Sequence, residues 1–285
     1  VSDQHTIYGT KIVVATDREA HYVLDEILGN TTDLPITEHA TDTHGVTLVN
    51  FALFDLLGKT LSPRIRDLKG IVLHRMGPRS EYHSRYPHAG PLLTGHADLD
   101  LIASQWDDML RLAGSIKFGH ATASLLVSKL CASSRQNTLA AALKEWGAIR
   151  RTIYACRYLS DTGYQRKISG QLNKGESLHA LRRDIHYARL GQVTKHHTEQ
   201  QTEQAWCLTL VTNAIVAWMT EYLGLAVDVQ RSRGISIPNE VLAHISPARS
   251  EPVQLFGTIA INVDEELARL DPTGHRPLRH SDHLA

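Results

Sequence analysis

The first 75 residues alternate short β-branched runs with stretches of helical period, and a long helical stretch follows. That order restricts the chain to an α/β arrangement carrying a large helical part. Residues 9–15 (Gly-Thr-Lys-Ile-Val-Val-Ala) read as a strand. Thr16-Asp17-Arg18-Glu19 fits a capping box, with a helix from Ala20 to Leu28 that stops at Gly29. A second strand is expected over 36–41, then a helix from Val46 to Leu57 ended by Gly58. Two extended runs follow, Lys59–Ile65 and Gly70–Leu73.

Residues 76–96 are rich in Gly, Pro and His and read as loop. Beyond them the spacing predicts helices near 99–115, 120–131, 136–159, 162–171, 176–190 and 199–223. The run 206–223 is apolar enough for a buried helix, and Trp106, Trp146 and Trp218 fall at core spacing. Residues 265–285 are polar, with Pro, Gly and His, so a disordered tail is expected. No stretch reads as a membrane span and no signal peptide opens the chain.

Cys131, Cys156 and Cys207 are odd in number and widely spaced, which argues against a disulfide framework and for a reducing, cytoplasmic compartment. The histidines, His196-His197 and His275, His280 and His283 among them, match no metal-ligand spacing and are expected at the surface. A formal net charge of zero conceals a gradient: residues 61–195 hold 21 Lys/Arg against 10 Asp/Glu. A basic middle suits either a polyanion-binding surface or a set of solvated helix faces.

Two acidic residues stand out. Asp42 closes the second expected strand, at the carboxyl edge where open α/β sheets bind ligands, yet Asp ahead of a helix is also a good N-cap. Glu176 follows Asn173-Lys174-Gly175, which reads as a helix break, so it would open the next helix and favour its macrodipole. From spacing alone both roles stay open for both residues.

The segments around them resemble a known family. Asp33 to Lys69, with Thr41-Asp42-Thr43-His44-Gly45 and Pro63-Arg64-Ile65-Arg66-Asp67-Leu68-Lys69, is similar to the replicative transposases of the Tn-three (Tn3) family. So are Trp106-Asp107-Asp108-Met109-Leu110-Arg111-Leu112, Arg135-Gln136-Asn137-Thr138-Leu139 and Leu172-Asn173-Lys174-Gly175-Glu176. His179-Ala180-Leu181 and Ile245-Ser246-Pro247 extend the likeness, which runs from Val1 to about Ile261.

The resemblance implies an RNase H-like core with a large helical insertion between the second and third acidic residues. On this chain that gives a partial α/β core over 1–75, the insertion over 76–172 and a C-terminal helical part of the core over 173–264. Asp42 matches the family's second carboxylate and Glu176 its third, both ligands of Mg²⁺, for which Mn²⁺ substitutes. Hard oxygen donors are what such ions take, and two ions can activate an attacking oxygen and neutralise a leaving one. The implied reaction is cleavage and strand joining at transposon ends in double-stranded DNA, by a homo-oligomer on DNA at the bacterial nucleoid.

Lys174, Arg64, Arg66, Lys69, Arg182 and Arg183 are the candidate phosphate contacts, with Arg150 and Arg151 weaker ones. The family's first Asp sits in a Ser-Ser-Asp-Gly-Gln context that this sequence lacks, and Asp3 matches a different segment. The expectation is therefore a fragment, starting at Val1 without Met, that does not transpose DNA alone. The alternative is a remnant that only binds DNA or associates with itself.

Overall fold

The computed structural model describes residues 1–13, 22–42, 46–132, 137–187, 191–193, 197–254, 256–257, 262–270 and 272. The expected capping box at 16–19 lies outside them, as do Thr43–Gly45 and residues 273–285 of the expected tail. The fold is mainly helical, with small sheets. It divides into two compact units: Val13–Asn173, and Val1–Ile12 together with Lys174–Ala285.

The Val13–Asn173 unit is built on a β-α-β step. Strand β1 (Glu38–Thr41) leads into helix α2 (Leu48–Leu56), and strand β2 (Thr60–Pro63) returns parallel to β1. Parallel neighbours need a crossover, and α2 supplies it. Thr47 starts the helix by accepting a side-chain hydrogen bond from the Asn50 amide. Gly58, at φ 69°, ends it: its amide bonds the Asp55 carbonyl and the Lys59 amide bonds that of Phe54. Val49 through Phe54 are all buried, so α2 is apolar all round because it is enclosed.

Around α2 sit α1 (Val23–Leu28), α4 (Leu99–Ser104), α5 (Trp106–Lys117), α6 (Ala123–Ala132) and α7 (Thr138–Ser160). Leu24, Leu53, Phe54, Met109, Leu143 and Ile168 centre the shared core. Helices α7 and α2 touch at backbone level: a Cβ on Gly147 would lie 1.8 Å from the Leu48 carbonyl oxygen. Trp106 and Trp146 pack edge-on at 5.3 Å, as their spacing indicates.

The second unit gathers Ile7, Leu178, Leu181, Val216 and Ala248 into a smaller core. Its helices are the second part of α8 (Thr162–Ile185), α9 (Thr198–Ser232) and the short α10 (Asn239–Leu242) and α11 (Val263–Ala268). The N-terminal segment is pinned to α9, where Asn213 donates to the Ile7 carbonyl (2.8 Å) and accepts from its amide (3.0 Å).

Several expectations need correction. Residues 9–13 form no strand, so β1 and β2 are a two-stranded sheet among the described residues. The helix expected from Ala20 begins, as described, at Val23. Gly70–Leu73 holds no strand of its own; the strand comes just after, as His74–Arg75 (β3), paired parallel with Gly95–His96 (β4). The Gly/Pro-rich run 76–96 contains helix α3 (Arg79–Arg85), which begins directly after Pro78, because proline's fixed φ suits a helix entry. The helix expected over 99–115 is two, divided at Gln105.

The two helices expected at 162–171 and 176–190 are one, since Asn173 and Gly175 are carried inside α8. Helix propensity is a weak prior, and packing of Leu172 and Leu178 on either side overrides it. Helix α9 is not buried: Leu210 is 71% and Trp218 47% exposed, and Trp218 stacks on Tyr222. Its apolar residues line both faces, which makes it long and apolar enough by length and composition to cross a membrane. In the expected tail, residues up to Ala268 belong to α11, begun by Asn262 accepting from the Glu265 amide.

Candidate active site

Asp42 is the first residue beyond β1, at its carboxyl end. The capping role is corrected by the structure, because Thr47 caps α2. The carboxylate of Asp42 instead faces two arginines that follow β2. Arg64 Nη2 donates to Oδ1 at 3.4 Å, and Arg66 Nη2 donates to Oδ2 at 3.1 Å. The Arg64 amide bonds the Thr41 carbonyl, prolonging the β1–β2 ladder by one step and bringing this arginine alongside. The side chain of Asp42 is 45% exposed, and those of Arg64 and Arg66 are 30% and 55% exposed. An accessible carboxylate at a strand's end, ringed by guanidinium groups, suits a hard cation or a polyanion.

Glu176 lies well inside α8, so the first-turn macrodipole role is corrected as well. It is exposed and follows Leu172 by one helical turn. One further turn on, burial lowers the pKa of His179, while the negative charge of Glu176 works against that shift. The structure places Asp42 in the Val13–Asn173 unit and Glu176 in the other. Among the described residues no group of three or more His, Cys, Asp or Glu could hold a metal.

The basic candidates divide by what they touch. Lys174 donates to the Asp3 carbonyl at 2.8 Å, so Asp3 meets it through backbone and not carboxylate. Lys69 is exposed, Arg183 is exposed, and Arg182 is partly buried with its pKa lowered by desolvation. Arg150 pairs with Asp55 at 2.7 Å and Arg151 donates to the Val72 carbonyl at 3.1 Å, which gives both a structural role.

Sequence reasoning passed over Glu38. Its Oε1 accepts from Ser62 Oγ (2.7 Å) and Tyr164 Oη (2.5 Å), and its Oε2 accepts from Lys167 Nζ (2.5 Å). Burial acts to raise the Glu38 pKa, but hydrogen bonds from Lys167, Tyr164 and Ser62 outweigh it and hold the group below its usual range. Burial, then the Glu38 contact, pushes Tyr164 up to about 12. The signal was available: on a strand of period two, residues 38, 40 and 42 share a face.

A family model described as the Tn3 transposase DDE domain matches residues 1–258. The transposase for transposon Tn1546 of Enterococcus faecium is 40% identical over 280 residues, 98% of this chain and 28% of that protein. The transposase for transposon Tn501 of Pseudomonas aeruginosa is 40% identical over the same shares. The transposase for transposon gamma-delta of Escherichia coli (strain K12) is 37% identical over 94% of this chain and 26% of its own length. The chain thus spans under a third of the curated relatives it matches. On a match that takes in both Asp42 and Glu176, the chain belongs to the Tn3 transposase DDE domain family.

Proposed function

We propose that this chain supplies two of the carboxylates with which a DDE transposase cuts and joins transposon-end DNA. The observation that carries the reading is Asp42: accessible, at the carboxyl end of β1, and relieved of capping by Thr47. In this reading β1, α2 and β2 are part of an RNase H-like core, and the helices between Asp42 and Glu176 are an insertion into it. A DDE domain implies a divalent metal, and we take it to be Mg²⁺, with Mn²⁺ as substitute.

The donor set fits in kind, because both residues offer hard carboxylate oxygens, Glu176 exposed and Asp42 partly so. When bound, the metal activates the attacking oxygen and neutralises the leaving one on the phosphodiester. The chain's own residues hold and orient. Asp42 and Glu176 would hold the metal, and Arg64 and Arg66, which face Asp42 at the end of β2, would contact DNA phosphates. Lys69, Lys174, Arg182 and Arg183 extend that phosphate surface. The partner is double-stranded DNA, transposon ends and target, bound by a homo-oligomer at the nucleoid.

The test is Mg²⁺- or Mn²⁺-dependent cleavage and joining of transposon-end DNA. It compares this chain, a longer transposase containing it, and that longer protein with Asp42→Ala or Glu176→Ala. Cutting and joining by the unmutated longer protein alone supports the assignment. Activity in either alanine variant removes it, and DNA binding without cleavage by every version points to a binding module.

A further inference from the structure

Burial does not choose the register of the short β1–β2 ladder. All four residues of β1 are partly buried, and Leu61, Ser62 and Pro63 of β2 are all buried, so neither strand alternates a core face with a solvent face. Register is weakly specified where that alternation is missing. The bonds of a parallel ladder are evenly spaced, so a slip of two residues would remake them while moving Arg64 by ~6.6 Å relative to Asp42. Directional side-chain contacts must therefore help to set Glu38 opposite Thr60 and Ala40 opposite Ser62.

Such contacts converge on Glu38, and all of them lie in the Val13–Asn173 unit. Glu38 Oε1 accepts from Ser62 Oγ (2.7 Å), two residues along β2 from its own partner Thr60, and from Tyr164 Oη (2.5 Å). Ser62 Oγ and Tyr164 Oη are 2.8 Å apart, which closes a triangle around a fully buried serine. The Arg157 guanidinium, 4.0 Å from the centre of the Tyr164 ring, and Asp161, which accepts from the Tyr164 amide at 3.0 Å, hold that tyrosine in place. At the far end of β2, Tyr154 Oη donates to the Pro63 carbonyl. These hydrogen bonds tolerate displacement of only a few tenths of an ångström, so a two-residue slip would break them all. Retaining a partly buried carboxylate has a desolvation cost that an apolar residue would avoid, and selection of one register accounts for it.

We infer that Glu38 is a positioning residue of the Asp42 site: with Ser62 and Tyr164 it selects the register of β1 on β2 that sets Arg64 and Arg66 against the Asp42 carboxylate. In that register the Arg64 amide bonds the Thr41 carbonyl at 2.8 Å, and the two guanidinium groups reach Asp42 at 3.4 and 3.1 Å. The inference rests on the proposed phosphate role of Arg64 and Arg66 only for what the site does, and not for the register itself.

The experiment uses the full 285-residue chain. Amide hydrogen exchange, followed by NMR, compares the Arg64 amide with those of Phe51 and Phe54 in α2. With Glu38→Ala the Arg64 amide should exchange at least about tenfold faster, the scale of one lost hydrogen bond to a charged group, while α2 is unchanged. Glu38→Gln, whose amide oxygen still accepts from Ser62 and Tyr164, should recover most of the protection. If Glu38→Ala does not fold, Tyr164→Phe, which keeps the ring beside Arg157, takes its place with the same expectation. The second readout is binding of duplex DNA across a salt series. Asp42→Asn should steepen the salt slope by up to ~1.8 with Glu38 present, and by less than about half that with Glu38→Ala, where the arginines have already left Asp42. An unchanged Arg64 exchange rate, or equal acceleration in α2, overturns the inference. So does an Asp42→Asn effect of the same size with and without Glu38. Faster Arg64 exchange, with a slope indifferent to Asp42 even when Glu38 is present, supports the register and refutes the phosphate role.

Discussion

Replacing Asp42 by Asn removes the negative charge that Arg64 and Arg66 share, with almost no change in shape. All three side chains keep substantial contact with water, so each pair contributes about 0–1 kcal/mol. Folding stability should fall by about 1 kcal/mol or less, a shift in melting temperature of about 2–4 °C for a protein of this size. Binding to DNA should change in the opposite sense. Two arginines no longer neutralised by Asp42 become available to phosphates, so the dependence of log affinity on log salt should steepen by up to ~1.8, about 0.9 per phosphate neutralised. Fluorescence anisotropy on a labelled duplex across a salt series reads the slope, and thermal denaturation reads the stability. A stability loss of about 3 kcal/mol or more would mark Asp42 as the keystone of a buried pair and refute a ligand's exposure. An unchanged slope would remove Arg64 and Arg66 from the phosphate surface.

Further outcomes follow from the fold. The partly buried ring of His39, stacked on Phe54 at 6.0 Å, has its pKa pushed down by burial to about 4. A folded-state pKa below the unfolded ~6.5 stabilises the fold above that pH and is lost as pH falls from ~6.5 through 4; we expect about 2 kcal/mol over that window after allowing for solvent contact, and His39→Phe should flatten it in denaturant melts at stepped pH. Gly147→Ala puts a methyl group onto the Leu48 carbonyl and should cost about 3 kcal/mol by urea denaturation; a neutral result would mean that α2 and α7 are further apart. Asp25→Ala removes the carboxylate that accepts from the Ala123 amide (2.6 Å) and from the Ser124 amide at the start of α6, with an expected loss of about 1 kcal/mol and faster hydrogen exchange in that helix.

Short-range chemistry was legible in the sequence where one residue controls an end. Gly58 stops α2, and β1, α2 and β2 lie within a few residues of their expected places. Spacing divides α8 at Asn173 and Gly175 because both are poor helix formers, whereas Leu172 and Leu178, packed in separate cores, hold it through them. The exposed side of α9 is not legible for a related reason: an apolar run implies burial, and composition does not say which face finds a partner. Asp42 and Glu176 stood out by their motifs, while the arginines facing Asp42 come from the end of a second strand, a long-range pairing that spacing does not encode. Glu38 was missed because its partners Tyr164 and Lys167 are remote in sequence.

The central proposal, that Asp42 and Glu176 are both metal ligands, is tested most directly by Mn²⁺ binding, followed by EPR, in the unmutated protein and in its Asp42→Ala and Glu176→Ala variants. Each alanine change should weaken binding at least about tenfold. Unchanged binding in either variant would contradict the assignment.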